Sequence, residues 1–452
     1  MSELWVWMNG EPVGVWSRGR AGRDRFAYFD AWRASPQARS LSLSMPLTAT
    51  GAAEGAAVAN YFDNLLPDSD DIRRRIRDRF RTQSTGAFEL LEAIGRDCDG
   101  AVQLLPPDEQ PVAVRSLAYD PLGDGDVERI LRGVTSGTGF NAADADGGDF
   151  RLSIAGAQEK TALLRIGAQW CRPRGATPTT HILKLPLGLV GGRQLDLTHS
   201  VENEWLCMEL LRFLGLSVAH VEIHQFGEMK ALVVERFDRR FVDDDTWIAR
   251  LPQEDFCQAL GKPPHQKYEA DNGPTMRDCL AVLAGSDSPI ADATTFLCAQ
   301  LAFWLLAATD GHAKNFSLHL ERGDRYRLTP LYDVLSAWPV IGPGPHQLRW
   351  QKAKLAMAVR AKNVHYKLAE IQPRHWRTVA QKHVGAALWT SMLEMLDRVD
   401  AAIEEVAARL PTGFPARTAD RIFAGLRGQR DAWARGLGPL DDVPTNLEEG
   451  RR

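Results

Sequence analysis

The stretch Ala307-Ala308-Thr309-Asp310-Gly311-His312-Ala313-Lys314-Asn315-Phe316-Ser317-Leu318 decides how this chain is read. An apolar helical run, Phe296 to Thr309, leads to Asp310, where the helix is expected to end. A short polar loop follows, and Phe316-Ser317-Leu318-His319-Leu320 then alternates with the period of a strand. Glu321 to Asp324 turns the chain, Arg325 to Leu328 returns as the partner strand, and Leu331-Tyr332-Asp333-Val334 comes next. The spacing therefore carries Asp333 back beside Asp310 and Asn315.

Two acids and an amide brought together in this way are the inventory of phosphoryl transfer. One carboxylate accepts the proton of a hydroxyl, while an amide oxygen and a second carboxylate hold magnesium over the phosphates. Asp-x-x-x-x-Asn alone is also a turn whose side chains cap backbone groups; the hairpin and the second acid favour the chemical reading. His312 lacks the partners a metal site needs, and Lys314 is expected to meet a phosphate charge.

Upstream, Ser153-Ile154-Ala155-Gly156-Ala157-Gln158-Glu159-Lys160-Thr161 runs into a strand, and its small residues let backbone N–H groups approach phosphate oxygens. Small-residue turns before strands are common, so this signal is weak by itself. No Walker A pattern, GxGxxG, Gly-x-Ser-x-Gly or His-Glu-x-x-His occurs. Lys184 interrupts the apolar strand Thr180 to Leu185, so it either snorkels from an edge or pairs with Glu202 or Glu204 of the next helix.

The 452 residues are about three times the ~150 that guide domain counts. An apolar fraction of 44% and a charged fraction of 25% exclude disorder, collagen and coiled coil. A formal charge of −4 argues against gripping nucleic acid by bulk electrostatics. The six cysteines (98, 171, 207, 257, 279 and 298) form no zinc pattern and read as reduced core residues. No secretory signal is visible, and the longest apolar run is too short to span a bilayer, so a soluble cytoplasmic protein is expected.

The Asn9-Gly10 turn between apolar runs predicts an N-terminal hairpin, and Leu41 to Met45 reads as a further strand. Helices are expected near Ala57 to Leu66 and over Asp71 to Phe80. Six arginines lie between positions 73 and 81, making a solvated face neutralised by acids or a patch for a partner. An amphipathic stretch at 127–134 and a loop-like boundary at 133–148 precede a β-rich run to about residue 240. Helical periodicity then dominates, including 385–410. Three units follow: an α/β subdomain over 1–125, a β-rich lobe over 126–238, and an all-helical lobe over 239–452. The fold class is α+β, two-lobed.

Taken together, Leu152 to Leu163, Thr180 to Lys184, Val234 to Arg239, Leu251-Pro252-Gln253-Glu254-Asp255, Thr309 to Asn315 and Leu328 to Asp333 resemble the HipA family, the kinase subunits of HipBA-type toxin–antitoxin systems. Asn60-Tyr61-Phe62-Asp63-Asn64-Leu65-Leu66-Pro67-Asp68 looks like the same family. The resemblance implies a protein-kinase-like fold and ATP and Mg2+ as cofactors. Asp310 would be the catalytic base, with Asn315 and Asp333 as magnesium ligands. Lys184 would hold phosphates, and Ala155, Gly156, Ala157, Gln158, Glu159 and Lys160 would form the phosphate-side loop. Glu235, Arg236 and Phe237 would be the adenine hinge, with His312, Ala313, Lys314 and Tyr332 also near the nucleotide. Ser153 matches the family's autophosphorylation position. The implied partners are a small helix-turn-helix antitoxin dimer, operator DNA reached mainly through it, and a protein substrate, an aminoacyl-tRNA synthetase such as glutamate–tRNA ligase. Two other readings use the same residues differently: a small-molecule or lipid kinase, and a nucleotide-sensing corepressor.

Overall fold

Asn9 and Gly10 adopt φ of 49° and 85°, the left-handed pair that a two-residue hairpin requires. They join Ser2–Met8 to Glu11–Arg18 with Met8 opposite Glu11. These strands lie inside a five-stranded antiparallel sheet ordered Ala52–Glu54, Asp24–Tyr28, Glu11–Arg18, Ser2–Met8, Val102–Leu105. Helices Ala56–Asp63 and Ala87–Ile94 contribute to the core of this sheet, where Trp16 stacks on Phe62 at 4.0 Å. The computed structural model describes residues 2–19, 22–136, 152–156, 158–192 and 194–436. Most of the expected boundary loop at 133–148 lies outside them, and residues 133–136 close the helix Asp124–Ser136.

Leu41 to Met45 is not a strand. Met45 N–H returns to Ser42 C=O, and Leu41 and Met45 are both buried, so the apparent alternation comes from a tight turn with two inward residues.

The second sheet has six antiparallel strands in the order Val221–Phe226, Met229–Glu235, His181–Lys184, Lys160–Ile166, Gln169–Pro173, Tyr119–Pro121. Tyr119–Pro121 pairs with Gln169–Pro173, so this lobe begins before residue 126. Successive residues serve opposite faces, as the pleat dictates. Ala231 and Val233 pack under helix Asp124–Ser136, while Leu232 and Val234 meet the core that includes helix Ser200–Phe213.

The C-terminal lobe surrounds Pro289–Leu306, an 18-residue helix apolar enough by composition to cross a membrane, whose Phe296-to-Leu306 half is wholly buried in the lobe's core. The helix stops at Leu306 rather than Asp310, because Ala307 turns left-handed at φ 49°. The lobe is mostly helical but not all-helical. Gln253–Asp255, Ser317–Leu320 and Tyr326–Leu328 form a three-stranded sheet, and the last two are the expected hairpin. Arg239–Val242 pairs with Trp247–Arg250, and Lys354–Arg360 with Val364–Lys367. The run Leu355 to Val359 is rich in helix formers and buried on both sides, so it lacks a strand's alternation; ladder pairing and the Glu269 carboxylate, which accepts Ala358 N–H at 2.7 Å, fix it instead. The expected 385–410 helix is two, Ala386–Asp397 and Val399–Ala407. All six cysteines are free and buried, as their sequence context predicts.

Candidate active site

Lys184 ends the central strand His181–Lys184 with its ammonium buried between two acids. Nζ donates to Glu204 Oε1 and to Asp333 Oδ1, each at 2.7 Å. Of the two acids expected on the following helix, Glu204 is the partner, and Glu202 goes to Lys230. Burial pushes Glu204 up to about 7 against the pull of Lys184. Burial alone would raise Asp333 as well, but the neighbouring Lys184 and Lys160 ammoniums hold it below the usual carboxylate range and keep it ionised.

Asp310, Asn315 and Asp333 converge as their spacing predicts. The Asn315 amide donates to Asp310 C=O at 2.9 Å and to Asp333 C=O at 3.2 Å, locking the backbones of both acids to one side chain. Among the described residues nothing donates to its Oδ1, which is left for another ligand. Asp333 is held at φ 61°, a left-handed conformation that costs a non-glycine residue energy and turns the carboxylate toward Lys184. Asp310 receives the Tyr268 hydroxyl on Oδ1 while staying exposed to the cleft, and desolvation by the surrounding protein raises its pKa, which suits a proton acceptor. His312 is driven down to about 3 by burial, so it is neutral, and its Nδ1 is buried without a partner among the described residues.

Lys314 departs from expectation. Its Nζ is spent on Asn64 C=O (3.1 Å), Asn64 Oδ1 (2.7 Å) and Asp255 Oδ2 (2.9 Å), so all three donors are satisfied away from any phosphate. The cation near the loop is Lys160 instead. It stands opposite Lys184 across the ladder, and its Nζ lies where a Gly156 side chain would start, 2.5 Å from an ideal Cβ. No hydrogen-bond acceptor or ion-pair partner reaches Lys160 Nζ among the described residues. Burial and Lys184 lower its pKa, as befits a cation awaiting an anion.

The phosphate-side loop is seated by the N-terminal subdomain. Ser153 N–H donates to Asp97 C=O (3.0 Å), and Ser153 Oγ to Leu65 C=O (2.7 Å). Ala155 N–H donates to Asp99 Oδ2 (2.9 Å), and Gly156 C=O accepts Asp68 N–H (3.0 Å). Gln158 reaches Leu185 C=O, and Glu159 pairs with Arg75 of helix Asp70–Phe80. Ala157 lies outside the described residues. That helix's other arginines include Arg73 on Asp63, Arg74 on Asp71 and Arg77 on Asp78, the neutralised-face reading. A buried ionic cluster ties the subdomain down: Asp97 accepts from Arg239 (2.9 Å), Arg250 (3.3 Å) and Thr179, while the Arg236 guanidinium holds Asp238 and Cys98 C=O.

At the hinge, Glu235 N–H is used by His220 C=O and Arg236 N–H by Thr180 C=O. The Phe237 N–H therefore remains as the segment's unengaged donor among the described residues. The Phe237 ring packs on Tyr332, whose hydroxyl donates to Lys314 C=O and backs the catalytic loop. Ala313 is buried in the same loop. These residues surround a cleft of about 750 Å³ between the lobes, a size suited to a cofactor or nucleotide.

No trio of His, Cys, Asp and Glu with metal-ligand geometry occurs among the described residues. Asn315 and the ionised Asp333 instead offer the two hard oxygens with which magnesium is held when phosphates complete its shell. The donor set fits that ion. Sequence reasoning missed Asn64, Asp68, Asp97, Asp99 and Tyr268; Asn64 and Asp68 lie in a segment that carried the resemblance, but no spacing ties them to the cleft.

Residues 152–413 match the HipA-like C-terminal domain, and residues 4–105 match the HipA N-terminal domain. The chain belongs to the HipA family. It is 35% identical to the protein named "Putative kinase Y4mE" of Sinorhizobium fredii, over 89% of this chain and 90% of that one. It is 30% identical to the serine/threonine-protein kinase toxin HipA of Shewanella oneidensis, over 70% of this chain and 71% of the toxin. Among solved structures it is similar to a chain of the Shewanella oneidensis HipA, HipB and operator DNA complex, with a TM-score of 0.78, 25% identity, and coverage of 97% of this chain and 99% of that one. The two-lobed, kinase-like α+β fold expected from the sequence is thus the fold of the family.

Proposed function

We propose that this chain is an ATP- and magnesium-dependent serine/threonine protein kinase, the toxin of a toxin–antitoxin pair. One observation carries the reading: a single amide, Asn315, fixes both Asp310 and Asp333, while Lys184 and the unpaired Lys160 face the same cleft. Lys184 and Lys160 bind the phosphates. Asp333 and Asn315 would hold Mg2+, whose charge would compensate the charge that develops on the transferred group. The Phe237 N–H meets adenine. Asp310 orients the acceptor hydroxyl and takes its proton, so the rate comes from placement and charge compensation.

Ser153 is the position for self-inactivation. It is fully buried here, so the loop must leave its seat before Ser153 Oγ can accept a phosphoryl group. By kinship with the Shewanella complex, the partners are a HipB-like helix-turn-helix dimer and, through it, operator DNA. The target is an aminoacyl-tRNA synthetase of the cytoplasm, on family resemblance alone.

The test is transfer from γ-labelled ATP, with and without Mg2+, to the chain itself and to proteins of a cell extract. Asp310→Asn should keep parent ATP affinity and lose transfer. Labelling at the parent rate would remove Asp310 as the base, and a parent chain that binds no nucleotide would end the kinase reading.

A further inference from the structure

We propose that Tyr268 is a positioning residue for phosphoryl transfer, orienting the Asp310 carboxylate toward the acceptor hydroxyl. The inference deepens the kinase reading and rests on it.

A carboxylate on a loop turns about its own side-chain bonds, so fixing its backbone does not aim it. Asn315 grips Asp310 only through the main-chain carbonyl. Among the described residues, the donor that reaches the carboxylate itself is the Tyr268 hydroxyl, bonded to Oδ1. With one oxygen held, the other has a single direction in the cleft.

The tyrosine is in turn held through its ring and its backbone. Its ring stands edge-on to His312 at 5.0 Å and 86°, inside the same catalytic loop. Its carbonyl accepts Gly273 N–H (2.9 Å) and Asp271 N–H (3.0 Å). This turn is closed so tightly that a Cβ at Gly273 would fall 2.1 Å from Gln266 C=O and 2.5 Å from Tyr268 C=O. Both neighbours in sequence are anchored. Lys267 C=O accepts Ala313 N–H (3.3 Å), and Lys267 Nζ pairs with Asp68 at 2.8 Å. Glu269 is buried and holds Ala358 N–H and Arg360. A side chain locked through both flanks and bonded to the reactive group is what a preorganised base requires.

Misplacing a reacting group by about 1 Å costs up to ~10²-fold in rate. Tyr268→Phe removes the hydroxyl and keeps the ring against His312. Single-turnover phosphorylation by the full chain should slow between about tenfold and a hundredfold. ATP affinity and KM for ATP should stay within about twofold, since the phosphate and hinge contacts are untouched. A rate within twofold of the parent overturns the inference. So does a parallel loss of ATP affinity, which would mark a merely structural role, and so does a faster variant, which would make the hydroxyl a plug on the base. A parent chain that transfers no phosphate overturns the kinase reading, and this inference falls with it; a parent that transfers beside an unchanged Tyr268→Phe overturns this inference alone.

Discussion

Replacing Ser153 by Asp should expel the phosphate-side loop, and the structure supplies both sides of the comparison. Among the described residues, four hydrogen bonds hold positions 153–156 of the loop to the N-terminal subdomain: Ser153 N–H to Asp97, Ser153 Oγ to Leu65, Ala155 N–H to Asp99, and Asp68 N–H to Gly156. At about 1 kcal/mol each they amount to roughly 4 kcal/mol of seating. Ser153→Ala removes one of them and leaves about 3 kcal/mol, so the loop stays. Ser153→Asp also removes the donor to Leu65 C=O, and it buries a carboxylate at a fully enclosed position facing that carbonyl, with Asp97 and Asp99 nearby. An unpaired buried charge costs about 3–5 kcal/mol, which cancels what remains of the seating. The net seating is then about 0 to −2 kcal/mol, so the loop is in place half the time or less, and ATP affinity, measured by calorimetry, should drop by about twofold to thirtyfold in Ser153→Asp and stay at the parent value in Ser153→Ala. Limited proteolysis should cut near residues 152–160 only in the Asp variant. Equal ATP affinity and equal protection in the two variants would refute the reasoning, because the seating bonds would then not govern the loop.

Asp97→Asn should destabilise the chain by about 3–5 kcal/mol at neutral pH, read as a shifted urea midpoint, because three buried arginines lose their shared anion. Burial would raise the Asp97 pKa, but Arg239, Arg250 and Arg236 hold it below the ordinary carboxylate range, so its stabilisation is complete above about pH 4. That stabilisation is lost as the pH falls through the depressed value, and the variant's stability between pH 4 and 2 should be flatter than the parent's. Lys184→Met should weaken ATP binding at least tenfold and leave Glu204 and Asp333 without their common cation. Glu204, already raised by burial, should take up a proton near neutrality, so the variant's melting temperature should fall further as pH rises.

The convergence of the cleft's residues was legible because it is local. Asp310 and Asn315 share one loop, and a hairpin of ordinary length returns Asp333 to them, so spacing alone carried the geometry. Lys184 was conspicuous because a cation inside an apolar strand demands an explanation. The seating of the loop was not legible. Asp97 and Asp99 lie 56 residues before Ser153 and Ala155, and Leu65 lies 88 before Ser153, distances at which no periodicity links partners. Lys314 misled for the same reason: its acceptors, Asn64 and Asp255, lie 250 and 59 residues away. The strand Lys354–Arg360 was missed because burial on both sides removes the period-two signature on which strand reading depends.

The grip of Asn64 on Lys314 has a consequence for how this enzyme can be dissected. The family boundaries at residues 105 and 152 suggest two separable modules, and the second contains every group assigned to chemistry. Cut there, the second segment would carry an ammonium stripped of two of its three acceptors one residue from Asn315, and the loop at 153–156 would lose its floor. The first hundred residues are therefore not an appendage to a minimal kinase but one wall of it, and any attempt to trim the protein to its reactive half would discard part of the machinery.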